Sequence, residues 1–321
     1  MQFNRKYKSK NFRPRADEEV QFLVLHYTAL PLGTTLGIFT NNYDLCKQDI
    51  ELGYYANGGF NAEEACKGEV SAHYVNSEQG EIFQLVDEEF ASYHAGASYW
   101  NGVKNINNHS IGIEHENIGF DWLSKFPNDR ALQVFGSPNK WCKFTEIQIE
   151  QTIRLCREII ASHGIKPFNI VGHSDIACGR KSDPGAAFPW RQLAAAGIGM
   201  WYDLKESTLN DETKPVDPVL WVQRRLAEYG YDCPITGVAD DKFTNTLQAF
   251  QMHFRPTKID GQVDLESLQI LDSLCQRKAR YEEQASMNAE LAAQAALYDA
   301  VVDEDDTEEN ANSGSKLSFR C

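Results

Sequence analysis

A mixed α/β domain, with a central sheet flanked by helices, followed by a small three-helix C-terminal domain, is the fold class that this 321-residue sequence predicts. Three observations predict it. Short apolar runs such as VQFLVL (20–25) read as buried strands. A long helical periodicity begins at Thr145 and sits between strand-like segments. A polar stretch, KESTLNDETKPVD (205–217), then separates this part from three short amphipathic helices.

Each element has its own signal. VQFLVLHYTAL, from Val20, is a buried strand with His26 near its end. SAHYVNSEQGEIFQLV (71–86) places two apolar segments around Ser-Glu-Gln-Gly and predicts a hairpin. In NHSIGIEHEN (108–117), Ile111 and Ile113 share one face and Glu114 and Glu116 the other, which predicts a strand with a carboxylate face. Thr145-Glu146 caps a helix on which Ile149, Ile153, Leu155, Cys156 and Ile160 recur before His163-Gly164. KPFNIVG (166–172) returns to strand character.

Beyond the polar stretch, Val219, Val222, Leu226 and Tyr229 mark one helix, Phe243, Leu247, Phe250 and Phe254 a second, and Leu265, Leu268 and Leu271 a third. The expected organisation is a domain over 1–205, a linker over 206–216, a three-helix domain over 217–273, and a tail over 274–321 that is first helical and then acidic and disordered.

Composition narrows the class of function. A formal net charge of -15 argues against nucleic-acid binding, which requires clustered Lys and Arg. No apolar run reaches the roughly 18 residues of a transmembrane segment. The eight cysteines show no CxxC pair, so free thiols in a reducing compartment are expected rather than a disulfide scaffold or a zinc ribbon. The basic N-terminus, MQFNRKYKSKNFRPR, is followed by no apolar stretch and does not read as a signal peptide, which points to the cytoplasm.

The chemistry concentrates in GHSDIACGRKSDPG (172–185). A loop after a strand can aim several side chains at one point. His173 and Asp183 are ten residues apart and become neighbours only if this loop folds back. Histidine with carboxylate suits Zn²⁺, whose catalytic sites take three protein ligands and leave a fourth position open. The third ligand must come from elsewhere, and the residues alone leave His26, His73 and His94 as rivals. Glu114 and Glu116 read equally well as catalytic or as solvated carboxylates, and Arg180 and Lys181 as partners of Asp175 or Asp183 in ordinary ion pairs.

Several stretches occur in a shared order over residues 20–195: LVLHYTA, VSAHYVNSEQGEIFQLV, YHAG, SIGIEHEN and GHSDIACGRKSDPGAAFPW. Together they resemble the AmpD/AmiD-type zinc N-acetylmuramoyl-L-alanine amidases, relatives of the peptidoglycan recognition proteins. The resemblance implies Zn²⁺ on His26, His173 and Asp183, Glu114 and Lys181 as catalytic groups, and His73 and His94 lining the substrate pocket. It also implies hydrolysis of the amide between N-acetylmuramic acid and L-alanine, with peptidoglycan or muropeptides as the partner.

Cys178 stands where this family usually has proline, and it is expected to fill that space as a small apolar residue. Residues 217–273 resemble the three-helix peptidoglycan-binding domain appended to wall hydrolases, in which Trp221, Tyr229 and Tyr231 are either ligand platforms or core. A wall substrate would place the protein in the periplasm or outside the cell, against the cytoplasmic reading of its N-terminus. The alternative functions are a non-catalytic peptidoglycan receptor and a protein with a purely structural zinc.

Overall fold

The computed structural model describes residues 1–15, 18–51, 61–119 and 141–313, with side chains as far as residue 296. Nine strands are present among these residues: β1 (Phe12–Pro14), β2 (Phe22–Tyr27), β3 (Tyr74–Asn76), β4 (Ile82–Gln84), β5 (Phe90–Ser92), β6 (Tyr99–Trp100), β7 (Val103–Lys104), β8 (Ser110–His115) and β9 (Ile170–Gly172). The described helices are α1 (Leu32–Phe39), α2 (Lys47–Glu51), α3 (Ala62–Ala65), α4 (Glu146–His163), α5 (His173–Ile176), α6 (Trp190–Ala195), α7 (Pro218–Tyr229), α8 (Asp241–Phe254) and α9 (Leu265–Ser313), with short 3-10 turns between some of them.

The central sheet has the order β4-β3-β8-β2-β9. β3 and β4 form the expected antiparallel hairpin, and the other three pairings are parallel. Parallel strands are covered on both faces, which is why Phe22–Leu25 is apolar without alternation. Leu23 and Leu25 pack with Ile111 and Ile113 against Ile149, Leu155, Cys156 and Ile159 of α4. Phe22 and Val24 face the opposite way, towards Trp100 and Phe168.

Helix α4 begins and ends as its sequence signals predict. Thr145 accepts a hydrogen bond from the Gln148 amide, and Gly164 takes the left-handed conformation (φ 65°) that closes the helix. KPFNIVG is only half strand: Pro167–Asn169 forms a 3-10 turn and β9 starts at Ile170. The loop after β9 also differs from expectation. It opens with one helical turn, α5, because Asp175 reaches back to accept from the Gly172 amide at 2.7 Å.

The C-terminal helices share a core with the sheet domain. Val222, Leu226 and Tyr229 of α7, Phe243, Leu247 and Phe250 of α8, and Leu271 and Leu274 of α9 belong to the same buried cluster as Phe22, Val24, Trp100 and Phe168. Tyr229 and Tyr231 are core, with the Trp100 ring set edge-on 4.7 Å from Tyr231. Trp221 is half-buried beneath the Arg225 guanidinium.

The segment read as a linker is strapped to α9. Ser207 Oγ and the Thr208 amide both donate to Asp272, at 3.0 Å each. Residues 1–275 form one compact unit and 276–321 a second. Helix α9 runs on to Ser313, so the backbone of the acidic run 303–309 is helical where disorder was expected; residues 314–321 lie outside the described residues.

The seven described cysteines are free, although the buried Cys46 and Cys66 sulfurs stand 3.4 Å apart. Among the described residues no helix is long and apolar enough to cross a membrane.

Candidate metal centre and active site

The parallel strands bring their carboxyl ends to one place, where open α/β sheets form binding sites. His26 in β2 pairs in register with Glu114 in β8, and Leu25 pairs with Gly172, the residue before His173. Ser110, Gly112 and Glu114 share a face of β8. Gly112 is required there, since a Cβ would lie 2.6 Å from the His94 ring.

The loop after α5 returns Asp183 to the same point, where the Ser174 amide donates to its carbonyl at 2.8 Å. His26 Nδ1 and His173 Nδ1 are 3.1 Å apart, and Asp183 Oδ2 is 2.8 Å from the first and 3.1 Å from the second. All three side chains are buried. Of the rivals for the third ligand, geometry brings His26 to the cluster.

The hydrogen-bond network assigns the protons. The Ser110 hydroxyl donates to the Ile106 carbonyl at 2.7 Å, so it accepts from His94 Nε2 at 3.1 Å. His94 Nδ1 is then the acceptor for His26 Nε2–H at 2.9 Å, which leaves a lone pair on His26 Nδ1. His173 Nε2–H donates to the Ala95 carbonyl at 3.0 Å, and in the neutral ring this frees its Nδ1 as well.

Burial holds His26 neutral by lowering it to about 4, and burial also lowers His94 well below its ordinary value. Two lone pairs and a carboxylate oxygen therefore converge on one point. The arrangement is repulsive without a cation and matches a divalent-metal donor set, each histidine fixed by a bond to its far nitrogen.

Glu114 stands beside this cluster, with Oε1 3.9 Å from His26 Nδ1. Its Oε2 is buried and has no hydrogen-bond partner among the described residues. Burial first, and the Asp183 charge second, push this carboxyl well above its ordinary range, while Lys181 draws it back. A carboxyl kept off its usual value beside a metal-ligand cluster is suited to proton transfer. Lys181 is exposed at the rim and forms no ion pair with Asp175 or Asp183.

Residues 16–186, more than half of the chain, match the N-acetylmuramoyl-L-alanine amidase family model. The chain belongs to that family. A second match, to a peptidoglycan binding domain, covers residues 216–271. The amidase is 33% identical over 269 residues to the N-acetylmuramoyl-L-alanine amidase AmiD of Escherichia coli, covering 80% of this chain and 83% of AmiD. It is 32% identical over 184 residues to the 1,6-anhydro-N-acetylmuramyl-L-alanine amidase AmpD of Salmonella typhimurium, covering 56% of this chain and 81% of AmpD.

Two solved structures share the fold, each at 32% identity. One is E. coli AmiD in complex with the substrate anhydro-N-acetylmuramic acid-L-Ala-D-gamma-Glu-L-Lys, with a TM-score of 0.58 over 85% of this chain and 93% of that one. The other is AmpDh3 of Pseudomonas aeruginosa in complex with anhydromuramic pentapeptide, with a TM-score of 0.60 over 87% and 98%.

Several residues of the amidase lie where sequence did not place them. His73 and His94, expected to line a substrate pocket, are both buried, His94 with its Nδ1 against His26 Nε2. His73 is fully buried, with Nδ1 held by Ser92 and the Gly112 amide and Nε2 beside Arg15 and the Phe90 carbonyl. Arg15, which carried no local signal, is buried and donates to the Ser110 carbonyl at 2.7 Å. Arg180 makes neither expected ion pair and instead donates to the carbonyls of Ala95 and Ala97. Glu116 is a bracket rather than a solvated carboxylate, accepting from the amides of Leu32 and Glu78 at 2.9 Å each.

Cys178 packs partly buried against the core, and burial raises its thiol to about 12, so it is an unreactive filler. His94→Phe, which removes the acceptor for His26 Nε2–H, is expected to weaken metal binding by about 10- to 100-fold. Chelator-competition titration reads this directly.

Proposed function

We propose that the amidase is a zinc-dependent hydrolase acting on the amide between N-acetylmuramic acid and L-alanine in peptidoglycan or muropeptides. The observation that carries this reading is the convergence of His26 Nδ1, His173 Nδ1 and Asp183 Oδ2 beside a buried Glu114 oxygen that has no partner among the described residues. Zinc on those three donors would supply Lewis-acid activation of an otherwise poor electrophile and of water. Glu114, as carboxylate, takes a proton from the attacking water and returns it to the departing nitrogen as the carbon–nitrogen bond breaks. Lys181, exposed and in no ion pair with a described residue, would stabilise the developing oxyanion.

In this reading residues 1–205 are the catalytic domain, 206–216 a linker, 217–273 a wall-binding domain and 274–321 a tail. Substrates like those bound in the AmiD and AmpDh3 structures, anhydromuramic peptides, are the first to test. Lys181→Met is expected to lower kcat on the order of 10²–10³-fold at unchanged zinc content, by analogy with a lost oxyanion donor. Steady-state kinetics with metal analysis of the same sample check it. A non-catalytic receptor would bind such peptides and leave them intact, whether or not zinc is present.

A further inference from the structure

The C-terminal helices reach the loop that carries His173 and Asp183. A cleft of about 140 Å³ lies between the metal-ligand loop and α8, walled by Gly179, Arg180, Lys181 and Ser182 on one side and by Asn245 and Gln248 on the other. Lys181, which lines this cleft, acts electrostatically on both Glu114 and His26, and Ser182 directly precedes Asp183, so the cleft adjoins the metal cluster. Asn245 is pressed against the loop: a Cβ on Gly179, whose φ is 75°, would come within 2.8 Å of Asn245 Nδ2. Asn245 and Gln248 are half-buried, and among the described residues their amide heads have no hydrogen-bond partner. Each presents a carbonyl acceptor and an NH₂ donor to the space.

This wall is held rigidly to the loop. Asp175, two residues after His173, is buried and accepts from Tyr231 Oη on one oxygen and from His253 Nδ1 on the other, each at 2.7 Å. His253 lies on α8, the helix that carries Asn245 and Gln248. Its ring is stacked on Trp190 at 3.8 Å and on Phe254 at 3.9 Å. The ligand loop and the helix that faces it are thus tied by a buried carboxylate with every oxygen used, the kind of support that fixes a site's geometry.

We propose that the C-terminal helical domain forms one wall of the substrate cleft, with Asn245 and Gln248 binding a secondary amide of the muropeptide. The proposal rests on the amidase reading above. It gives the domain a role that tethering to polymeric wall does not, because a wall of the cleft acts on soluble substrate as well. A secondary amide is the matching chemistry, since it offers one donor and one acceptor to a side-chain amide. Both the stem peptide and the N-acetyl group of the sugar carry one.

The test uses the full-length, zinc-loaded protein and a soluble anhydromuropeptide, so that tethering to the wall plays no part. Asn245→Ala with Gln248→Ala is expected to raise KM about 10-fold, the cost of two neutral hydrogen bonds, with kcat, zinc content and thermal midpoint near wild type. Tyr231→Phe, which removes one bond of the tie and keeps the ring in the core, should raise KM by less. Ile235→Ser, on an exposed loop of the same domain, should leave hydrolysis of the soluble substrate unchanged.

A substrate truncated after L-alanine separates the two amide sources: loss of the KM effect assigns the stem peptide, and its persistence assigns the sugar side. An unchanged KM for the double variant overturns the proposal while the amidase reading stands. Loss of zinc in the double variant also overturns it, because the residues would then act on the ligand loop. A wild-type protein that binds no zinc and cleaves nothing removes the amidase reading, and this proposal with it.

Discussion

Replacing Glu114 by Gln is expected to lower kcat by about 10²–10⁴-fold, the usual contribution of a positioned general base, with zinc bound as in wild type. The substitution preserves shape and removes only the ability to take a proton. Glu114 is not one of the three converging donors, because its nearer oxygen is 3.9 Å from His26 Nδ1. Its neighbour Glu116 supplies the control. It sits two residues along the same chain but is spent on the amides of Leu32 and Glu78, so Glu116→Gln should affect stability more than turnover. Equal loss of kcat in the two variants would contradict the assignment. Metal analysis of Glu114→Gln keeps the result specific: a variant that had lost zinc would place this carboxylate among the ligands.

Removing a ligand is expected to have the other large effect. His173→Ala leaves His26 Nδ1 and Asp183 Oδ2 without their third partner. Zinc affinity should fall by more than the roughly 10- to 100-fold that loss of an outer partner such as His94 costs, and activity with it. The fold should survive. The sheet core around Leu23, Leu25, Ile111 and Ile113, closed by α4, does not pass through the metal donors. Chelation should accordingly abolish turnover and remove the stability that metal binding adds, lowering the thermal midpoint, while unfolding remains a single cooperative transition. Unfolding on chelation would instead mark the zinc as structural.

The parts of the fold legible in the sequence are those whose signals are local. Burial of β2 on both faces shows as an unbroken apolar run, the β3–β4 hairpin as two apolar segments around a Gly turn, and α4 as a period of 3.6 between Thr145 and Gly164. The clustering of His173 and Asp183 was also legible, because a Gly-bounded loop after a strand can fold back on itself. What escaped depends on contacts distant in the chain. Asp175 meets His253 across 78 residues, and nothing near either one signals it. A helix face that packs on a neighbouring domain has the same apolar period as one that packs on its own domain, so the shared core could not be told from a separate one. The depths of His73 and His94 were hidden for a similar reason: position beside a strand end does not say which nitrogen meets a ligand and which meets Ser110 or Gly112.

The acidic run 303–309 shows a different limit. Its composition suggested a solvated tail, but α9 carries no Gly stop between Leu265 and Ser313, and helix formers carry the backbone through it. Arg180 illustrates the same gap for charges. Two aspartates lie within five residues of it, yet the loop turns its guanidinium to the carbonyls of Ala95 and Ala97, one of which also accepts from His173.

The measurement that tests the account most directly is mass spectrometry of the products formed from a soluble anhydromuropeptide by zinc-loaded protein, with a chelated sample alongside. The account predicts free stem peptide beginning with L-alanine and an anhydromuramic acid fragment carrying the oxygen of water, both absent after chelation. An intact muropeptide after incubation with the zinc-loaded protein would contradict it.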